Sequence, residues 1–223
     1  SSDVCSSDLY GYILNVPTGD VPDLIAAGAD LIPSRENGSG RLPWATGRFY
    51  VGNPGDTLVA VLTVANTIYA HPIYIPQTMT LATFNIGVTT GQTGGKGRLG
   101  LYNDITGLPS TLVYDTGEIT GLTSTTVVTN TPSTPPSISP GWYWLASTWA
   151  ATSTMPSVTG IQTVVTSLTD KLIGSDTAAH ALAVSGQAAT GISASLTYAA
   201  LPTIFPTATV ILNAACPTYC LGV

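Results

Sequence analysis

The sequence is a succession of short runs of β-branched and aromatic residues, and this pattern leaves little choice of fold class. Glycine, proline and asparagine separate the runs at spacings of roughly 8–12 residues, as in sandwiches and barrels. Helical periodicity is nearly absent. We therefore predict an all-β fold, a jelly-roll-like antiparallel β-sandwich of roughly eight to ten strands. The predicted strands cover residues 58–64, 69–75, 79–88, 98–102, 112–118, 125–130, 141–146, 161–165, 171–174, 193–198 and 209–212.

Alternation of large side chains within these runs predicts the core. Because successive residues of a strand point to opposite faces, every second residue shares a face. The third run changes phase: Met79 and Leu81 have one parity, whereas Phe84 and Ile86 have the other. We expect a bulge or bend near 82–83 to accommodate the change. The residues predicted to fill one interior shared by two sheets are Phe84, Ile86, Leu99, Leu101, Tyr143 and Leu145.

The composition argues against several classes of protein. Hydrophobic residues make up 44 % of the chain and charged residues 8 %, whereas disordered chains combine low hydrophobicity with high net charge. No apolar run approaches the roughly 18 residues of a membrane-spanning helix, so we expect no membrane insertion. The formal net charge is -6 and the few basic residues are scattered, which argues against binding to nucleic acid.

The first nine residues, SSDVCSSDL, are interpreted as an artefact. They read codon for codon as a translated short-read sequencing adapter, so residues 1–9 are excluded from fold reasoning. We expect the gene to have been assembled from environmental (metagenomic) DNA, with its natural N-terminus missing.

Residues 10–46 are predicted to form an N-terminal connector. A short helix is expected at 22–28, with Asp20 as its N-cap and Gly28 as its left-handed terminator. The polar stretch at 34–40, SRENGSG, is typical of a flexible linker. The β-sandwich domain is accordingly predicted to span residues 47–223.

Five motifs follow one another in a specific order between residues 66 and 146. They are NTIYAHPIYIP at 66–76, RLGLY at 98–102, GLP at 107–109, LVYDTG at 112–117 and PGWYWLA at 140–146. In this order they resemble a β-sandwich domain that recurs in tail fibre and minor tail proteins of tailed bacteriophages. The DLIAAG run at 23–28 is similar to segments upstream of such domains. The resemblance implies a virion appendage module with varied ligands and no consistent enzyme activity.

The catalytic constellations that we considered find little support. His71 and His180 are the only histidines, without a GxSxG elbow or a Cys–His pairing, and His71 is interpreted as a packed or hydrogen-bonded structural residue. A glycosidase needs two carboxylates flanking the bond, for which Asp104, Asp115 and Glu118 are the candidates. Asp104 is expected instead to cap its own turn, and the other two to end a strand. We predict no catalytic residue and no enzymatic activity.

Cofactor and metal sites are not predicted either. The GGKG run at 94–97 is similar to a phosphate cradle, but it lacks the P-loop spacing and a following helix, so a hairpin loop is the plainer interpretation. Cys216 and Cys220 lack the further ligands that zinc requires. A local disulfide, two ordinary thiols or a frayed tail would each fit this pair.

Aromatic residues near 142–149 are the candidates for ligand binding. Trp142 and Trp144 share one face of a strand, and Trp149 follows closely. If Tyr143 and Leu145 face the core, Trp142 and Trp144 point outward or toward a neighbouring subunit, where their rings would stack on sugar rings. Alternatively, a second sheet and loops bury both sides of the strand. Asn103 and Asp104, in a loop predicted at 103–109, complete the candidate ligand-binding set.

No charged residue occurs between Ile119 and Thr169, and such a surface can pack against identical copies. Together with the resemblance, this favours a homo-oligomer, expected to be a trimer, in contact with other virion tail proteins. The expected function is a non-catalytic structural and receptor-binding module of a phage tail appendage, located in the virion and adhering to host-surface ligands, for which a host-surface glycan is the candidate. The alternative is a secreted, extracellular bacterial carbohydrate-binding or adhesin-like sandwich.

Overall fold

The structure is a computed structural model, and it describes residues 44–53, 56–162, 173, 189–212 and 214–223. These ranges contain fifteen strands: β1 (Phe49–Tyr50), β2 (Thr57–Leu62), β3 (Thr67–Ile75), β4 (Met79–Thr80), β5 (Thr83–Thr90), β6 (Lys96–Ile105), β7 (Leu108–Asp115), β8 (Thr126–Asn130), β9 (Ser137–Ile138), β10 (Gly141–Ala150), β11 (Ser157–Gln162), β12 (Ala189–Ser195), β13 (Thr209–Leu212), β14 (Cys216–Pro217) and β15 (Cys220–Gly222). Within the same ranges, no helix has the length and apolar character to cross a bilayer.

Several predictions concern residues outside the described ranges. These are the adapter-derived segment, the short helix and linker of the connector, His180, and most of the strand predicted at 171–174. Ile173, the one described residue of that strand, is helical, so the strand prediction is wrong at this position. The other predicted strands coincide with or overlap observed ones. All strand pairs are antiparallel. The predicted all-β, antiparallel sandwich is therefore confirmed.

One layer is a six-stranded sheet in the order β13-β12-β3-β10-β6-β7. At its centre β10 pairs along eight residues with β3 on one edge and along eight residues with β6 on the other. Long central strands of this kind satisfy their main-chain groups within the sheet, so their side chains can be buried on both faces. All residues of β3 except the first are buried, as are Tyr143 to Trp149 of β10.

The other layer is a seven-stranded sheet built around β5 and β11. β8 pairs with one edge of β5, and the opposite edge is shared by β15 near its start and β11 near its end. In the same way, β2 runs along one edge of β11, while β5 and β14 share its other edge. The C-terminal residues are thus paired strands, and the frayed tail considered from the sequence is wrong.

The first core lies between the two sheets. All six residues predicted for it are buried there, which confirms the assignment of faces: Phe84, Ile86, Leu99, Leu101, Tyr143 and Leu145. Trp44 also belongs to this core, stacked on Tyr50 with ring centroids 4.1 Å apart. Trp44 lies in the stretch predicted as connector, so packed structure includes residues before 47.

The phase change of the third run is accommodated by an interruption of the strand. The run forms two strands, β4 and β5, interrupted at Leu81 and Ala82. β4 pairs with the two-residue strand β9 rather than with either large sheet. Met79 and Leu81 nevertheless reach the same core as Phe84. The bend expected near 82–83 is therefore confirmed.

A second core covers the outer face of the six-stranded sheet. Here Trp144 and Tyr102 pack with Leu201 and Phe205, which belong to the segment connecting β12 to β13. Gly100 makes room for this segment, because a Cβ built at Gly100 would lie 2.3 Å from the Leu201 side chain. The segment also extends the sheet at β7, since Leu112 N–H donates to Thr203 C=O and Phe205 N–H donates to Ser110 C=O.

Truncating Phe84 or Tyr143 to Ala should lower the free energy of unfolding by about 3–5 kcal/mol, because each change leaves a cavity between the sheets. Val127→Ala is the control; its side chain is 65 % exposed, and we expect a change within about 0.5 kcal/mol. Urea titrations followed by tryptophan fluorescence measure all three. Core variants as stable as the wild type would contradict the assignment of faces.

Candidate functional site

Two of the three candidate tryptophans are buried. Trp144 is 2 % exposed in the second core, and Trp149 is fully buried in the first. Gly97 opposite Trp149 accommodates its ring, since a Cβ there would lie 2.6 Å from a ring carbon. The prediction that these rings offer open faces to a ligand is therefore wrong for Trp144 and Trp149. The alternative interpretation, burial on both sides of the strand, is the one that the structure supports.

Asp104 holds a turn and a tryptophan together. One carboxylate oxygen, Oδ1, accepts a hydrogen bond of 2.8 Å from Trp144 Nε1, and Oδ2 accepts one of 3.2 Å from Gly107 N–H. The expectation that Asp104 caps its own turn is confirmed. Its second bond, to an indole in the neighbouring strand β10, gives it a structural role that local sequence did not indicate.

The loop predicted at 103–109 is a tighter turn than expected. β6 continues to Ile105 and β7 begins at Leu108, so only Thr106 and Gly107 form the connection. Both have positive φ, 54° and 81°, as a type I′ hairpin turn requires. A β-branched residue in this conformation is uncommon, and the Thr106 hydroxyl donates to Ile105 C=O at 2.7 Å.

Trp142 and Asn103 are the remaining candidates, and both are partly exposed. Trp142 lies beside Tyr74, its cross-strand neighbour, with ring centroids 5.1 Å apart and planes tilted by 54°. Asn103 donates to Thr111 Oγ1 at 2.8 Å. Asn103 pairs in register with Tyr143, so it shares the inner face of the sheet with Tyr143, whereas Trp142 lies on the outer face. The five candidate residues therefore do not form one surface.

Four charged residues at one edge of the six-stranded sheet form two ion pairs. Lys96 Nζ lies 2.9 Å from Glu118 Oε2, and Arg98 Nη2 lies 3.0 Å from Asp115 Oδ2. Lys96 also lies 5.1 Å from the ring centroid of Tyr198. The hydrogen bond from Lys96 lowers the pKa of the Glu118 carboxyl. A carboxyl group shifted in this direction is ionised at neutral pH and unsuited to donate a proton as a general acid.

Asp115 has additional structural bonds. Its Oδ1 accepts from Gly117 N–H at 2.8 Å, and its Oδ2 accepts from Leu201 N–H at 3.1 Å. The second of these bonds anchors the segment that covers Trp144. Asp115 thus connects the end of β7 with the cover of the second core, beyond the strand-end role that we expected for it.

A buried polar cluster surrounds His71. Its Nδ1 lies 3.3 Å from Thr190 C=O, within hydrogen-bonding distance. Its Nε2 lies 3.6 Å from Asp56 Oδ2. Asp56 Oδ2 accepts a hydrogen bond of 2.7 Å from Asn53 N–H. The side chains of His71 and Asp56 are 0 % and 3 % exposed. The interpretation of His71 as a hydrogen-bonded structural residue is confirmed.

Cys216 and Cys220 are free thiols rather than a disulfide. Burial raises the pKa of the Cys216 thiol, so this group stays protonated at neutral pH. A protonated, fully buried thiol is a poor nucleophile. In the described part of the chain, no three His, Cys, Asp or Glu side chains come together in an arrangement suited to a metal ion.

A cleft that the sequence did not indicate lies beside Lys96. Its volume is about 440 Å³, and its walls come from three separate loops: Gly94, Gly95 and Lys96; Thr120, Gly121 and Thr123; and Ala151 and Thr152. We call it the glycine–threonine cleft. The first of these loops is the predicted GGKG hairpin. Only the fold brings the other two loops to it, so no local sequence signal could have identified the cleft.

Main-chain hydrogen bonds hold the walls of this cleft in place. Gln92 N–H donates to Leu122 C=O at 2.9 Å, and Gly95 N–H donates to Gln92 C=O at 2.8 Å. Leu122 is fully buried beneath the loops. A Cβ built at Gly91 or Gly95 would lie under 3.0 Å from neighbouring main-chain atoms, so the close approach of the loops requires glycine. The cleft is therefore preformed.

Comparison with protein-family models finds no match to this chain, and comparison with curated proteins finds no significant match.

Replacing Trp144 by Phe should lower the free energy of unfolding by about 1–3 kcal/mol. The phenyl ring keeps most of the packing, but Asp104 Oδ1 loses its indole donor at a part-buried position. Trp142→Phe is the matched control: it removes an indole from the same strand at a partly exposed position and should change stability by less than half as much. Guanidinium unfolding monitored by circular dichroism gives both values. Equal losses of unfolding free energy in Trp144→Phe and Trp142→Phe would contradict the structural role of the Trp144–Asp104 hydrogen bond.

Proposed function

We propose that this chain is a non-catalytic structural and receptor-binding module of a phage tail appendage, which adheres to hydroxyl-bearing ligands on the host surface. The observation that carries the proposal is the state of the carboxylates: all four in the described part of the chain, Asp56, Asp104, Asp115 and Glu118, take part in structural contacts. Hydrolysis of a sugar needs a carboxylate pair that is free to face the substrate.

The other groups that catalyse hydrolysis are also occupied or enclosed among the described residues. His71 is buried and bonded to Thr190 C=O, and Cys216 is a buried thiol. Glu118 has a lowered pKa, whereas the general acid of a glycosidase needs a raised one. These observations support binding without bond cleavage.

The glycine–threonine cleft is the surface best suited to such a ligand. Its walls present threonine hydroxyls and main-chain groups, and its one charged residue, Lys96, is paired with Glu118. Neutral donors and acceptors at fixed positions suit a ligand rich in hydroxyl groups, and the volume lies within the usual range for small-molecule sites. Trp142, half-buried beside Tyr74, is a second and more limited contact surface.

The motifs that resemble phage appendage domains add support from another direction. The motifs at 66–76, 98–102, 112–117 and 140–146 fall on β3, β6, β7 and β10. In the six-stranded sheet these strands are consecutive, in the order β3-β10-β6-β7. Residues scattered over eighty positions thus belong to one structural unit, as expected if the resemblance reflects a common domain. Location in the virion, trimerisation and contact with other tail proteins remain proposals that rest on the resemblance.

Labelled protein should bind to bacterial envelope glycans in a pull-down, and a Thr123→Val, Thr152→Val double variant should bind at least about tenfold more weakly. Valine removes the hydroxyls and nearly preserves side-chain volume, so the fold is retained. Thr134→Val, an exposed threonine outside the cleft lining, is the matched control. Trp142→Ala tests the second surface.

The outcomes of this experiment separate the parts of the proposal. Unchanged binding of the double variant would exclude the cleft as the binding site. Unchanged binding of Trp142→Ala would exclude Trp142 as a contact for the ligand. Absence of binding to any envelope preparation would contradict the receptor-binding role. Steady release of reducing sugar by the wild type would overturn the non-catalytic assignment. A signal peptide encoded in the natural gene would favour the secreted carbohydrate-binding alternative. Tail genes next to the natural gene would favour the phage tail appendage.

A further inference from the structure

Strand β2 has an open edge. Among the described strands it pairs only with β11, without a register shift along its six residues. The chain continues the ladder at Thr63, whose N–H donates to Pro156 C=O at 3.1 Å. Along an antiparallel strand, the N–H and C=O groups of successive residues point alternately to the strand on one side and to the opposite side. Because Thr63 bonds toward β11, the N–H and C=O groups of Thr57, Val59 and Val61 also point to β11. Those that point to the open edge belong to Leu58, Ala60 and Leu62.

Among the described residues, this edge lacks the features that normally keep sheet edges apart. Charged side chains, prolines, bulges or covering segments usually protect an edge strand from pairing with another chain. β2 reads TLVAVL, and Leu58 and Leu62 are 54 % and 61 % exposed. The edge strand β7 of the other sheet, by contrast, is covered by the main chain of Thr203 and Phe205.

The sequence of the strand indicates which partner it fits. Residues 57–63 read TLVAVLT, which is identical in both directions about Ala60. In an antiparallel pair of two such strands centred on Ala60, each residue lies opposite an identical one: Thr57 opposite Thr63, Leu58 opposite Leu62, Val59 opposite Val61, and Ala60 opposite Ala60 of the partner subunit. Leu58, Ala60 and Leu62, whose N–H and C=O groups point to the open edge, then lie opposite the same three residues of the partner, as the hydrogen bonds of an antiparallel ladder require. Matched aliphatic pairs stabilise such a ladder, and no like charges meet.

We propose that β2 pairs with β2 of a second copy of this chain, antiparallel about Ala60, so that two seven-stranded sheets become one continuous sheet. The contact is isologous and closes with two copies, because each molecule contributes its only copy of the strand. It is independent of the ligand-binding proposal and of the three-fold assembly expected for an appendage.

Position 60 lies on the two-fold axis, which makes a charge-swap experiment decisive. In Ala60→Lys two lysines oppose each other, and in Ala60→Glu two glutamates do. Sedimentation velocity of the full chain should show a dimer for the wild type, or a hexamer where the three-fold assembly also forms. For each variant alone, the dissociation constant of the two-fold contact should rise at least about tenfold. An equimolar mixture of the two variants should recover the dimer, because unlike charges then face each other. Ala60→Thr, neutral and strand-forming, is the control and should remain dimeric.

Ala60 is exposed, so the variants should keep the circular dichroism spectrum of the wild type. Should either lose its fold, a mixture of Leu62→Lys and Leu58→Glu tests the adjacent pair of the same register. A monomeric wild type at micromolar concentration would overturn the proposal. So would an oligomer whose mass is unchanged by Ala60→Lys, or a mixture that fails to restore the dimer.

Discussion

Burial of β10 on both faces is the constraint on which the sandwich depends. One face supplies Tyr143, Leu145 and Trp149 to the first core, and the other supplies Trp144 to the second. Such a strand must have its main-chain groups satisfied within its sheet, and β3 and β6 provide this along its length. The strand richest in aromatic residues is thereby used mainly for packing, and of its aromatic side chains only Trp142, at its start, stays partly exposed.

The first core was predictable because alternation is a local property of a strand. Phe84, Leu99 and Tyr143 could be assigned to it from neighbours within a few residues. The second core depends on contacts that local patterns do not encode. The Tyr102 hydroxyl donates to Pro202 C=O at 2.7 Å across 100 residues of sequence. Without that segment Trp144 would face outward, which is why its parity alone suggested an exposed binding surface.

The same distinction explains the candidate site. The turn-capping role of Asp104 was predictable, since an aspartate bonds to main-chain groups a few residues away. The type I′ geometry was missed because Thr106 is a poor match to the residues that favour positive φ. The glycine–threonine cleft was missed because its walls meet only after the sheets have formed. Hydrogen bonds between residues close in sequence could therefore be predicted from the sequence. Surfaces formed by loops distant in sequence could not.

The origin of the second core has a consequence for synthesis of the chain. β3, β6 and β10 have all been synthesised by residue 150, but Leu201 and Phe205, which cover their outer face, follow later. Translation at about 5–20 residues per second leaves that face uncovered for roughly 3–11 s. During this interval Tyr102 and Trp144 form an apolar surface on the nascent chain. Slow codons between 150 and 205 would prolong this exposure.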